Sequence, residues 1–221
     1  MSDPEASTWY PADSPSERFD AVLFDFGGVL ADGPFESFAR YEAENGLPDG
    51  FVRGLNTKDP DINAWARLER GEVTLDEFAD LFEAEALLAG GAVDARAIIS
   101  NLRGELRPRM LEAVRRCKEH FKTGLLTNNF VVASAAASLE NVFDLFDAIV
   151  ESSAEGVRKP DPRFYEIACE RISVAPSRAI FLDDLGQNLK PARALGMTTI
   201  KVTDPDKALS ELQDLVGIAL T

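Results

Sequence analysis

Histidine is nearly missing from this chain: His120 is the only one in 221 residues. It stands among Lys118, Glu119 and Lys122 at the end of an expected helix and reads as a surface residue. No triad of the Ser-His-Asp kind can be assembled around it. Cysteine is almost as scarce. Cys117 and Cys169 stand alone, form no CxxC, and read as small buried hydrophobes in a reducing compartment rather than as a disulfide framework. Long apolar runs are lacking, so no membrane span is expected. The N-terminus shows no basic stretch followed by an apolar one, so no secretory signal is visible and a cytoplasmic location is the default. Positive charge is in deficit, with 23 Lys and Arg against 38 Asp and Glu and a formal net charge of -15. That balance argues against a nucleic-acid partner. It leaves a small phosphorylated substrate open, because a bound metal can invert the local sign. Internal repeats and low-complexity tracts are missing too.

Apolar content of 45% is enough to bury a real core, and the length suits one domain or a core with a smaller insert. The stretch that organises the rest is Asp25-Phe26-Gly27-Gly28-Val29-Leu30, preceded by the unbroken apolar run Ala21-Val22-Leu23-Phe24. Such a run suits a strand covered on both faces, as in a parallel sheet. A carboxylate at the C-terminal end of a central strand lies where open α/β sheets carry ligands, and the two glycines let the backbone turn and approach a ligand closely.

Residues 1–17, with Pro4, Pro11 and Pro15, read as a flexible leader. The first strand is expected over about Phe19–Asp25. From 35 to 103 the apolar residues recur at helical spacings, with breakers at Gly46-Leu47-Pro48, Asp59-Pro60, Arg70-Gly71 and Gly90-Gly91, and Thr74 is placed to cap a helix. This region reads as a helical insert that divides a core made of 18–34 and 104–221. Further strands are expected at Lys122–Thr127, Ala148–Val150, Ala179–Leu182 and Thr198–Val202. Helices are expected from Pro108 to about Lys118, Ser134 to Asn141, Pro162 to Arg171, Leu189 to Leu195 and Lys207 to Leu215. Alternating strands and helices imply a parallel sheet with right-handed crossovers, an α/β fold.

Three of these strands end in polar residues of complementary chemistry: Asp25, then Thr127 with Asn128, then Asp183 with Asp184. Lys159 lies between the third and fourth strands, held by Pro160 and Pro162. The C-terminal ends of parallel strands face one edge, so these groups can converge. Their chemistry suits phosphoryl transfer. Asp25 is the candidate nucleophile. Asp25, the Gly27 carbonyl and Asp184 suit Mg²⁺, an oxygen-seeking ion that keeps several waters. Thr127, the Asn128 N–H and Lys159 suit the remaining phosphate oxygens.

The ordered set of Asp25-Phe26-Gly27-Gly28-Val29-Leu30, Thr127-Asn128, Lys159-Pro160 and Asp183-Asp184 with Asn188 resembles the haloacid dehalogenase-like hydrolases, of the kind with a helical cap after the first strand. Together with Trp65–Thr74 and Phe181–Ala194, it is similar to the phosphatase-like domains of soluble epoxide hydrolase and of acyl-CoA dehydrogenase family member 10. The resemblance spans about Phe19 to Val202. It implies a Rossmann-like core, Asp25 as nucleophile, phosphate bound by Thr127, Asn128, Lys159 and the backbone at Gly28, and Mg²⁺ held by Asp25, the Gly27 carbonyl and Asp184 with Asp183 and Asn188 in support. The reaction implied is hydrolysis of a small phosphorylated metabolite through an aspartyl-phosphate, by a monomer or homodimer without a nucleic-acid or membrane partner. Most such phosphatases carry a second Asp two residues after the nucleophile, to protonate the leaving oxygen. Here Gly27 occupies that position, and losing general acid–base help costs about 10²–10⁴-fold.

Two rival readings stay open on the sequence. A dehalogenase would also lack the second Asp, but Asp183-Asp184 is the pair such enzymes lose. A phosphate-binding or regulatory module without turnover is supported by Gly27. Asp32 reads as a turn residue or a substitute proton donor, and Arg70 as a helix-end cation or a substrate contact. Ser152-Ser153 reads as loop, and Trp65 as core of the helical insert.

Overall fold

Five short runs rich in Val, Ile, Leu and Phe pair side by side in a fully parallel sheet. In the computed structural model, which describes residues 18–102, 104–128 and 141–220, they are β1 (Ala21–Phe24), β2 (Lys122–Thr127), β3 (Ala148–Glu151), β4 (Ala179–Asp183) and β5 (Thr198–Lys201). Their order is β3-β2-β1-β4-β5. β1 is central, with Phe24 level with Leu125 of β2 and with Leu182 of β4. The chain fills one side of β1 and then the other. That leaves a switch point at its C-terminal end, where open α/β sheets bind ligands.

Every residue of β1 is fully buried, as expected for a strand covered on both faces. Val22 and Phe24 face one core, with Met110 and Val114 of α6 (Pro108–Lys118) and Leu209 and Leu212 of α10 (Pro205–Val216). Ala21 and Leu23 face the other, with Phe164 and Tyr165 of α8 (Pro162–Ile172) and Leu189 of α9 (Gly186–Ala194). The period-two side-chain geometry of a strand divides the two layers.

Between β1 and α6 the described residues form five helices: α1 (Pro34–Glu44), α2 (Phe51–Thr57), α3 (Ala64–Glu69), α4 (Leu75–Leu88) and α5 (Ala95–Ser100). They bury their own cluster, including Phe38, Tyr41, Leu68, Phe78, Phe82 and Ile98. The indole of Trp65 packs edge-on against Phe38 and Phe78 at centroid distances of 5.5 and 5.7 Å. Thr74 caps α4 as expected, in a reciprocal capping box with Glu77. The two chain passages that join these helices to the sheet pair with each other. Ala31 bridges Leu106 in antiparallel fashion, and the Arg107 N–H donates to the Leu30 carbonyl at 2.8 Å.

Some expected boundaries move. β1 stops at Phe24, so Asp25 lies just past it, although its N–H still donates to the Leu182 carbonyl at 2.9 Å. The helix expected from Leu189 starts at Gly186, and the last helix starts at Pro205. Ser152 and Ser153 open a short helix, α7 (Ser152–Glu155), instead of a loop. The leader over 1–17 and the helix expected over Ser134–Asn141, all but its last residue, lie outside the described residues. Among the described residues no helix is long and apolar enough to cross a membrane.

Candidate active site

The turn after β1 is tied down by one carbonyl. Phe26 accepts from the N–H groups of Val29, Leu30 and Ala31 at 3.4, 2.9 and 3.0 Å, while the Gly28 N–H donates to Ala31 at 2.8 Å. The Gly27 carbonyl accepts no hydrogen bond among the described residues. Gly28 has φ +79°, and a Cβ there would lie 2.5 Å from the Asp184 carboxyl carbon. Only glycine satisfies both the left-handed backbone and the close approach. Gly27 is different: its φ lies outside the left-handed region, and a Cβ would meet nothing within 4 Å. The missing side chain at position 27 is a chemical absence that the backbone does not impose.

Lys159 enters from the loop between α7 and α8 and is 1% exposed. Its ammonium donates to Asp25 Oδ1 and Asp183 Oδ2, both at 2.8 Å, and to the Leu126 carbonyl at 2.9 Å. Three donors on the ammonium meet three acceptors, one each on β2 and β4 and one just past β1. The Lys159–Pro160 peptide is cis. Asp25 Oδ1 also accepts from the Phe26 N–H at 2.6 Å; its Oδ2 has no hydrogen-bond partner among the described residues. Both oxygens of Asp183 are taken. Oδ1 accepts from the Leu185 N–H at 2.8 Å and Asn188 Nδ2 at 3.1 Å, and Oδ2 from Asn188 at 3.0 Å and from Lys159.

One carboxylate oxygen each from Asp25, Asp183 and Asp184 lie within 4.8 Å of one another. Three carboxylates share one buried ammonium, and the imbalance registers on Asp25, Asp184 and Lys159. Burial pushes the Asp25 carboxyl well above its usual range, and Asp183 and Asp184 add to that against the opposing pull of Lys159. Burial and then Asp183 push Asp184 up to about 6. Burial alone would lower Lys159, but Asp183 and Asp25 outweigh it and hold the ammonium above its ordinary value. A further cation would relieve this excess of negative charge. The donors on offer are all hard oxygens, namely the Asp25 and Asp184 carboxylates and the uncommitted Gly27 carbonyl, so the residues present fit Mg²⁺.

Asp25, Lys159, Asp183 and Asp184 therefore come together. Thr127 is buried at the end of β2. The Asn128 side chain does not face the carboxylates. It accepts from the Lys159 N–H at 2.8 Å and donates to the Lys159 carbonyl at 3.0 Å and to Glu69 Oε2 at 3.3 Å. Asp32 meets Arg107 at 3.3 Å, so its carboxylate is spoken for by a guanidinium. Arg70 is paired with Glu72 at 2.5 and 3.1 Å. Sequence reasoning missed Arg107, whose Nη1 donates to the Gly28 carbonyl at 2.6 Å, and Glu69. The one available signal for Glu69 was its spacing of four from Trp65, whose Nε1 donates to it at 3.0 Å.

The family model for haloacid dehalogenase-like hydrolases matches residues 19–196. The chain is 37% identical over 213 residues to acyl-CoA dehydrogenase family member 10 of Mus musculus, covering 94% of this chain and 20% of that protein. It is 33% identical over 217 residues to bifunctional epoxide hydrolase 2 of Sus scrofa, covering 90% and 39%. It thus spans only a fifth to two fifths of those two relatives. The sesquiterpene phosphatase astK of Aspergillus oryzae is 30% identical over 204 residues, covering 90% of this chain and 97% of that one. A HAD family enzyme from Bacteroides thetaiotaomicron, solved with magnesium and inorganic phosphate, has the same fold, with a TM-score of 0.61, 21% identity and coverage of 83% and 93%. A parallel α/β sheet with Asp25, Lys159 and Asp183-Asp184 at one edge, matched over most of its length by this family, makes the chain a member of the haloacid dehalogenase-like hydrolases.

Proposed function

We propose that this hydrolase is a Mg²⁺-dependent phosphatase acting on a small phosphate monoester. The observation that carries the reading is the Lys159 ammonium held 2.8 Å from both Asp25 and Asp183, beside an Asp25 Oδ2 that no other described residue takes. Phosphatase-named relatives such as astK support it. Asp25 Oδ1 is fixed by Phe26 and Lys159, which leaves Oδ2 to attack phosphorus. The new Oδ2–P bond forms as the bond from phosphorus to the ester oxygen breaks. The departing alkoxide takes a proton from solvent, since Gly27 offers none. Water then attacks phosphorus, frees Asp25 and releases inorganic phosphate. Thr127 and the Asn128 N–H bind phosphate oxygens where charge builds up, and the Lys159 ammonium, its three hydrogens on Asp25, Asp183 and the Leu126 carbonyl, offsets that charge at close range. Mg²⁺, held by Asp25, Asp184 and the Gly27 carbonyl with Asp183 behind them, would offset the charge of nucleophile and phosphate. The helices of 35–103 act as a cap that screens substrates.

Without a side-chain acid, good leaving groups are favoured, so aryl and acyl phosphates outrun alkyl ones. The test is phosphate release with Mg²⁺ by wild type, Asp25→Asn and Gly27→Asp. Asp25→Asn is expected to abolish turnover; undiminished release in that variant overturns the reading. Gly27→Asp, for which the backbone has room, is expected to gain on alkyl phosphates. Gly27 also favours a second reading, a module that binds phosphate without turning it over. That reading predicts a higher melting temperature with Mg²⁺ and phosphate but no release from any ester.

A further inference from the structure

Behind Asn128 lies a buried charged cluster that the steps above do not use. Glu69, the last residue of α3, accepts from Arg158 Nη1 at 2.6 Å, Trp65 Nε1 at 3.0 Å and Asn128 Nδ2 at 3.3 Å. Its backbone carbonyl accepts from the Ser152 hydroxyl at 2.5 Å. Arg158 also donates to the Pro60 carbonyl. The side chains of Glu69 and Arg158 are only 11% and 16% exposed. A buried ion pair seldom adds net stability over apolar packing, so what it orients matters more than how tightly it binds.

What it orients is an amide. An asparagine side chain can turn over, exchanging its donor and acceptor ends. The Lys159 backbone sets its sense, because an N–H only donates and a carbonyl only accepts, and Glu69, which also only accepts, takes a hydrogen of the same NH₂ at 3.3 Å. That sense leaves Asn128 Oδ1 toward the Lys159 N–H at 2.8 Å, while the same NH₂ also reaches the Lys159 carbonyl at 3.0 Å. The backbone of Lys159 is thereby held at both its polar groups, one residue before Pro160. From that backbone the side chain reaches the Asp25–Asp183 pair.

We propose that Glu69 is a positioning residue for Lys159: by anchoring the Asn128 amide that holds both polar groups of the Lys159 backbone, it sets the ammonium between Asp25 and Asp183 and ties that setting to the placement of α3. The consequence for turnover rests on the phosphatase reading; the consequence for the Lys159 backbone does not.

The test uses Glu69→Gln, which takes away the charged acceptor that anchors the Asn128 NH₂, and the double variant Glu69→Gln/Arg158→Met, which also removes the guanidinium left without its carboxylate. Leu212→Ala, buried on the opposite face of the sheet, serves as a control for destabilisation alone. Exchange of the Lys159 amide hydrogen is read by NMR under conditions of equal global stability. Both Glu69 variants are expected to exchange about tenfold faster than the control, the size of effect set by losing a hydrogen bond that involves a charged group. Exchange equal to the control overturns the proposal. Where wild type releases phosphate, kcat of both Glu69 variants is expected to fall about tenfold against the control with little change in KM. An unchanged kcat overturns it even if exchange quickens. Should wild type hydrolyse no phosphate ester, the phosphatase reading fails by itself, and the exchange measurement alone decides the role of Glu69.

Discussion

Two adjacent glycines have opposite status. Gly28 is required by geometry, because its φ is +79° and a Cβ would lie 2.5 Å from Asp184 Cγ. Forcing an ordinary residue into the left-handed region costs about 1–2 kcal/mol before any clash. Gly28→Ala is therefore expected to lower the melting temperature and to displace Asp184, seen as weakened Mg²⁺ binding by calorimetry. Unchanged Mg²⁺ affinity in that variant would contradict the close approach. Gly27 carries no such demand, so substitution there tests chemistry and not folding. The cysteines give a pH-dependent prediction. Burial pushes Cys117 up to about 12 and Cys169 up to about 11 from an ordinary value of 9.0. Below about pH 9 both states keep the protons and nothing changes. Above it the unfolded chain loses protons that the folded chain retains, so stability falls as pH rises. The urea midpoint should drop above about pH 9, and less steeply in Cys117→Ala.

At the scale of elements, α3 is only six residues long and would not persist alone. Asn63 fixes its start. The buried side chain accepts from the Ala66 N–H at 2.8 Å and donates to the Asn56 and Lys58 carbonyls at 3.1 and 2.9 Å. Asn63→Ala removes a cap and leaves acceptors unmet, a loss of about 2 kcal/mol. For a protein of this size that is a fall of roughly 4–8 °C in melting temperature. If Glu69 positions Lys159, the same variant also quickens exchange of the Lys159 amide, because α3 carries Glu69 at its other end. The sequence showed the apolar strands and most helices because burial on one or two faces imposes a period. It missed Asn63 as a cap because Ile62-Asn63-Ala64-Trp65 follows a breaker-rich stretch with no capping box.

At the scale of the whole molecule, a strongly acidic chain concentrates three more carboxylates in one buried place. With a single ammonium to balance them, that arrangement carries its own prediction. Mg²⁺ that binds only the folded state stabilises it by about 2.7 kcal/mol at a hundredfold excess over Kd. The melting temperature of wild type is then expected to rise by roughly 5–10 °C, and Asp184→Asn is expected to lose most of that rise. Equal shifts in both proteins would argue against the carboxylate cluster as the binding site.

Sequence alone determined the parallel α/β core, the helical region between the first two strands, and the four motif positions. These are written in local order: buried strands need unbroken apolar runs, and a parallel sheet brings every strand's C-terminal end to one edge. Tertiary structure decided the rest. Glu69 and Arg158 are 89 residues apart, and Arg107 and Gly28 are 79 apart; no periodicity links such pairs. Whether Asp32 stands free or meets Arg107, and what the Asn128 side chain pairs with, depends on which side chains converge after folding. That convergence is set by packing in three dimensions, where a few ångströms separate a proton donor from half of an ion pair.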